Sequence, residues 1–177
     1  MSGNLKLIKK TTIAGSTTSV SITDVFSSDF EVYKITAKEV LQSASSSASS
    51  LHVRLINSSG SIESTSGHYL SAFKQMRADS SFFEGNSSTD TFMNIMLGQV
   101  DDNINSMGAV MYLFNPFDSQ KQTHALTQSA TLVGSQHRNI KGIGLFNQTN
   151  SITGLNIHLS SDPINSGIIT VYGLGNV

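Results

Sequence analysis

Five histidines, His52, His68, His124, His137 and His158, are the residues of this chain best suited to metal binding or proton transfer. They stand singly, with no i, i+2 or i, i+4 partner, whereas metal ligation needs donors that converge within bonding distance. Four of them therefore read as residues of polar strand faces or turns. Asp101-Asp102-Asn103-Ile104-Asn105 sets oxygens at the first, third and fifth positions of a calcium loop. The glycine and glutamate that such a loop needs at positions six and twelve are Ser106 and Tyr112 here, so a polar turn is expected. Gly142-Ile143-Gly144 lacks the third glycine and the following helix of a dinucleotide motif, and no Gly-x-Ser-x-Gly elbow occurs. The 12 acids include none in an aromatic-rich setting, and without tryptophan only Tyr69, Tyr112 and Tyr172 could build a poor sugar-stacking platform. No catalytic, metal or cofactor site is expected, and the chain reads as non-enzymatic.

Charge and composition narrow the partners. Lys and Arg number 11 against 12 acids, a net charge of -1, so the field that would draw in a nucleic-acid backbone is missing and no nucleic-acid partner is expected. The basic cluster Lys6, Lys9 and Lys10 alternates with Leu5, Leu7 and Ile8 and fits a solvated strand edge. Cysteine is absent, which removes disulfides, thiolate metal sites and cysteine nucleophiles together and is compatible with assembly in a reducing cytoplasm. Met1-Ser2-Gly3-Asn4-Leu5-Lys6 is followed by no apolar run, and nowhere do about 18 apolar residues follow one another, so neither a signal peptide nor a membrane span is expected. The Asn-x-Ser/Thr triplets at Asn57, Asn86 and Asn147 are expected to carry no glycan.

The elements that must position these residues are strands. Apolar residues recur with period 2, interrupted by Gly, Ser, Asn and Asp clusters, the pattern of half-buried antiparallel strands. Leu51, Val53 and Leu55 share one face of their run, and His52 and Arg54 share the other. Like runs cover Leu5–Ile13, Ser19–Val25, Phe30–Ala37, His68–Met76, Thr91–Leu97, Ala109–Phe114, His124–Val133, Ile140–Phe146, Leu155–Leu159 and Ile168–Tyr172. The expectation is a single domain over 1–177, an all-β, antiparallel, jelly-roll-like β-sandwich of about ten short strands. Its N-terminal strand or arm covers 1–13, and a Ser/Ala-rich surface loop covers 43–50. Helix competes only at Tyr69–Arg77, where Tyr69, Phe73 and Met76 have helical spacing.

Two strands are apolar on both faces. A sandwich strand needs one buried face, so the second face of Phe92–Leu97 and of Ala109–Phe114 must be covered by a loop or a neighbouring subunit. The candidate subunit interface is Met93, Ile95, Leu97, Val110, Tyr112 and Phe114.

Five stretches resemble a family of small bacteriophage virion and tail-fibre proteins. They are Val25-Phe26 with Asp29-Phe30-Glu31-Val32-Tyr33-Lys34-Ile35, Leu51-His52-Val53-Arg54-Leu55 with Ser59-Gly60, His68-Tyr69, Leu113-Phe114-Asn115-Pro116, and the closing strands Ser151–Leu159 and Ile164–Gly173 that end on Tyr172-Gly173. The resemblance spans about Leu5 to Gly173. It implies a jelly-roll sandwich assembled as a symmetric oligomer, often a trimer, on a phage particle, with other virion proteins of capsid or tail as partners. The expected location is the virion, assembled in the host cytoplasm. Two departures stand out: the central tryptophan of many relatives is missing, and the turn after Leu55 has one glycine where relatives often have two. The resemblance thus points to a structural role as capsid decoration or as a tail, baseplate or fibre component. The absence of a heptad or collagen-like shaft favours a short globular subunit over a receptor-binding fibre. The alternative is a module that recognises a host glycan through loops at one end of the sandwich.

Overall fold

Twelve strands form two antiparallel sheets in the computed structural model, which describes residues 5–43, 49–79, 81–100, 107–133 and 136–175, and only the backbone over 95–100. The larger sheet runs in the order β1 (Leu5–Thr17), β12 (Ile164–Leu174), β3 (Val32–Gln42), β8 (Gly108–Phe114), β9 (Thr123–Val133), β10 (Gln136–Phe146), β5 (Tyr69–Arg77), β6 (Phe82–Asp90). The smaller runs β2 (Ser19–Ile22), β11 (Ile152–Leu159), β4 (Ser49–Asn57), β7 (Met93–Val100). This is the expected all-β, antiparallel, jelly-roll-like sandwich. Tyr69–Arg77 is strand β5, not helix: Tyr69 is fully buried, and cross-strand pairing with β10 and β6 on both sides overrides its helical spacing.

The core lies between the sheets, where one cluster joins Ile35, Met111 and Leu113 of the larger sheet to Leu51, Leu55 and Ile157 of the smaller. Their inward alternation is the period-2 pattern of the sequence. Burying each such side chain contributes about 1.5–3 kcal/mol. Tyr69 adds a polar tie between the sheets. Its hydroxyl accepts from the Leu55 N–H at 2.9 Å and donates to the Glu63 carbonyl at 2.9 Å, and burial raises its pKa.

Close backbone approach explains two glycines. A Cβ at Gly144 would lie 3.2 Å from the Met93 sulfur, so Gly144 lets β7 settle onto the inner face of β10. A Cβ at Gly173 would lie 2.5 Å from the Phe30 ring, which also packs edge-on against Tyr33. The early aromatic strand and the closing Tyr172-Gly173 are thus two halves of one packing unit. Tyr33 completes it: its hydroxyl accepts from the Ser27 N–H and donates to the Ser27 carbonyl, each at 2.8 Å.

Two boundaries differ from the sequence reading. β6 lacks an alternating apolar face and was not foreseen as a strand; it lies at the edge of the larger sheet and pairs only with β5. Ser49 and Ser50 belong to β4, not to a surface loop. Ser49 is buried, its N–H donating to the Gln42 side chain at 3.1 Å and its hydroxyl 2.7 Å from that of Ser161. Residues 44–48 and Asp101–Asn105 lie outside the described residues.

Candidate functional site

Side chains alternate between the faces of a strand, so the registers of the larger sheet set its outward residues in transverse rows. One row at the edge of the face runs Leu5, Leu174, Val32 and Phe114, continued past His124 by Leu145 and Leu70. The next runs Leu7, Tyr172, Lys34, Tyr112, Leu126 and Ile143. Leu7 is 56% exposed and Ile143 58%, while Tyr112 and Phe114 are half-buried. From β1 to β5 the two rows make a band about 30 Å long and 13 Å wide. Its area, about 400 Å², is the scale at which apolar patches mark interaction sites.

Further along the same face lies a groove of about 1040 Å³. β6 and β8 line its two sides, and β9, β10 and β5 run between them. It exists because Ala72, Ala130 and Gly108 are small at outward positions while Tyr112, Gln128 and Lys141 beside them are long. Leu126 and Ile143 form its apolar part; Lys74, Glu84, Gln128 and Asn139 supply charge and hydrogen-bonding capacity.

The outer face of the smaller sheet is different in kind. His52 and His158 are register partners on β4 and β11, with ring centroids 5.3 Å apart, and Phe92 stacks on His52 at 3.7 Å. His52 is only 6% exposed although it points away from the core, and Asn156 beside it is 2% exposed, its amide donating to Ser21 at 3.0 Å. Arg54 closes another side by donating to the Thr91 carbonyl at 3.2 Å. Burial lowers the His52 pKa to about 3, helped by His158 and Arg54 and opposed by a hydrogen bond with Asn94. Burial and Arg54 lower that of His158 to about 4. Both rings are neutral at ordinary pH. Among the described residues no three His, Cys, Asp or Glu side chains are grouped to hold a metal ion.

The six interface candidates separate. Val110, Tyr112 and Phe114 stand together on the outward face of β8, while Ala109, Met111 and Leu113 fill the core from its inward face. Met93 is corrected: at 1% exposure, packed on Gly144, it lies in the core of its own chain and has no surface to give a neighbour. Phe92, on the other face of that chain segment, is covered by His52. The side chains of Ile95 and Leu97 lie outside the described residues. The pairing of His52 with His158 and the groove were both missed. Each depends on strand register, which brings together residues more than a hundred positions apart, or places Lys74 beside Lys141.

No protein-family model matches the chain, and no curated protein does either. Among solved structures, sheep galectin-11 in complex with glycerol is 13% identical over 88% of this chain and 98% of its own, at a TM-score of 0.31. The xylan-binding CBM22-1 domain of Paenibacillus barcinonensis Xyn10C is 13% identical over 99% of this chain and 85% of its own, at 0.31. The metal-free carbohydrate recognition domain of Emp46p is 10% identical over 99% and 87%, at 0.34. At these scores the likeness carries no argument about what this chain binds.

Proposed function

We propose that this protein is a non-enzymatic structural subunit of a bacteriophage particle, a capsid decoration or a tail, baseplate or fibre component, that assembles through the outer face of its larger sheet. The observation that carries the assembly is the apolar band across that face, with Val110, Tyr112 and Phe114 on its middle strand. The resemblance of the early aromatic strand and the closing Tyr172-Gly173 strand to small virion proteins supplies the setting. A stable interface needs about 800 Å² from each partner, usually as an apolar centre within a polar rim. The band supplies the centre, with Lys34 and His124 set within its rows, and Thr36 in the next row begins the rim. Copies of the chain are the proposed first partner, in a closed ring and most simply a trimer, because closed symmetry keeps the contact from growing into filaments.

Light scattering on the isolated protein tests the oligomer, and mass spectrometry of purified particles tests the setting. The reading expects a defined oligomer that Phe114→Asp dissociates, and the chain among the virion proteins. A stable monomer at micromolar concentration overturns the self-assembly, and absence from the particle overturns the virion role.

A further inference from the structure

The groove between β6 and β8 carries a charge pattern that the assembly reading does not use. Lys141 and Lys74 are direct cross-strand partners on adjacent strands, both facing outward and both lining the groove. Like charges directly opposite one another destabilise a sheet. Glu84 lies 3.5 Å from Lys74 in an exposed pair, but Lys141 forms no ion pair among the described residues. The outward face carries Lys10, Lys34, Lys38, Lys74 and Lys141; Lys38 is paired with Glu39 at 3.1 Å and Lys74 with Glu84, which leaves Lys10, Lys34 and Lys141 on a chain whose net charge is -1. The sequence-wide balance thus conceals an excess of lysine on this face, with Lys141 in the groove free of any ion pair among the described residues.

We propose that this groove binds an anionic oligosaccharide, a chain of uronate type. Lys141 and Lys74 meet its carboxylates, Gln128 and Asn139 its hydroxyls, and Tyr112 with Leu126 the apolar faces of its rings. Sites for such ligands are concave, apolar in part, and carry a few placed polar groups. The groove crosses five strands, a span of about 19 Å that suits an extended chain. A peptide strand binds by adding main-chain hydrogen bonds at a free sheet edge. Here β8, β9, β10 and β5 are each paired on both sides, so across the floor of the groove only side chains face the ligand; β6 at its side is a free edge, and the hexaglutamate probe tests strand addition there. The proposal goes beyond the assembly reading but shares Tyr112 and Leu126 with it, so a ligand and a second copy compete for that row.

Calorimetric titration of the full chain with hexagalacturonate, a neutral glucose hexaose, hexaglutamate and a short oligothymidylate tests it. Hexagalacturonate is expected to bind best, less tightly as salt is raised. Lys141→Gln should weaken it about tenfold, whereas Lys121→Gln, in a loop where Lys121 pairs with Asp118 at 3.2 Å, should not. Lys141→Gln should at the same time raise Tm, because it removes the like-charge pair; a residue kept for structure would lower it. Equal binding of the neutral hexaose, tighter binding of hexaglutamate or the oligonucleotide, no binding of any probe, or unchanged affinity in Lys141→Gln would each overturn the proposal.

Discussion

The two sheets of this sandwich turn opposite kinds of surface outward. The smaller closes its outer face on itself: His52, Phe92 and His158 pack ring against ring, Asn156 binds Ser21, and Arg54 binds a backbone carbonyl. The larger leaves its outer face open, with leucines and aromatics in register and a groove beside them. The polar residues of the smaller sheet's outer face are packed by their own chain, while contiguous apolar residues exposed on the larger sheet's outer face point to a partner elsewhere. The closed face should therefore respond to change in stability, and the open face in association.

Acid gives the largest effect on the closed face. His52 and His158 have folded pKa values of about 3 and about 4, below the ordinary 6.5. The neutral rings therefore contribute stability that is fully present above about pH 6.5. It is lost as pH falls toward 4, because the unfolded chain takes up protons that the folded chain refuses. The loss should be on the order of 4 kcal/mol after discounting for the partial exposure of His158. Urea melts between pH 7 and 4.5 read it directly, and the double replacement His52→Gln with His158→Gln should flatten the profile in that window. A profile as steep in the double variant would show that other groups carry the acid sensitivity.

Smaller, but still on the closed face, is the loss of the ring stack. His52→Ala removes the contact with Phe92 and leaves a void that the paired strands cannot collapse, at a cost of about 2–3 kcal/mol in the denaturation midpoint. Tyr69→Phe follows at about 1–2 kcal/mol, since it leaves the Leu55 N–H and the Glu63 carbonyl without their shared hydroxyl. Neither change should alter the mass of the assembled protein, and a change in mass would contradict the division between the faces.

How far these faces could be read in advance depends on the range of the interaction. The period-2 runs gave nearly all the strands because alternation is local, and Leu51, Val53 and Leu55 with His52 and Arg54 opposite were separated correctly by it. The apolar outer face of β8 was legible for the same reason, since Val110, Tyr112 and Phe114 alternate with Ala109, Met111 and Leu113. β6 escaped because an exposed edge strand has no buried face to impose a pattern. Met93 was misassigned because alternation tells that two faces differ and not which one the second sheet covers; that is decided by Gly144, far along the chain. The scattered histidines looked unrelated for the corresponding reason: pairing of β4 with β11 sets His52 opposite His158.

The smallest effect on stability is expected where the effect on association is greatest. Leu7 stands on edge strand β1 at 56% exposure, paired with Tyr172 at one end of the apolar band. Leu7→Asp removes little burial from the monomer and breaks no hydrogen bond of the ladder, so its melting should stay within about 0.5 kcal/mol of the parent protein. Within an assembly the same carboxylate would face apolar surface without a partner, and an unpaired buried charge is costly enough to exclude the contact. Sedimentation should therefore show monomer for Leu7→Asp at concentrations where the parent protein is oligomeric, with identical circular dichroism. A charge placed at Ser59, in the exposed turn after β4, serves as the comparison for association: it gives up the hydroxyl's hydrogen bonds to Asn57 and Ser61 but should leave the mass unchanged. Should Leu7→Asp remain fully oligomeric, the band at its β1 end is not part of the contact, and the interface must then lie nearer Phe114 or at the free edge of β6.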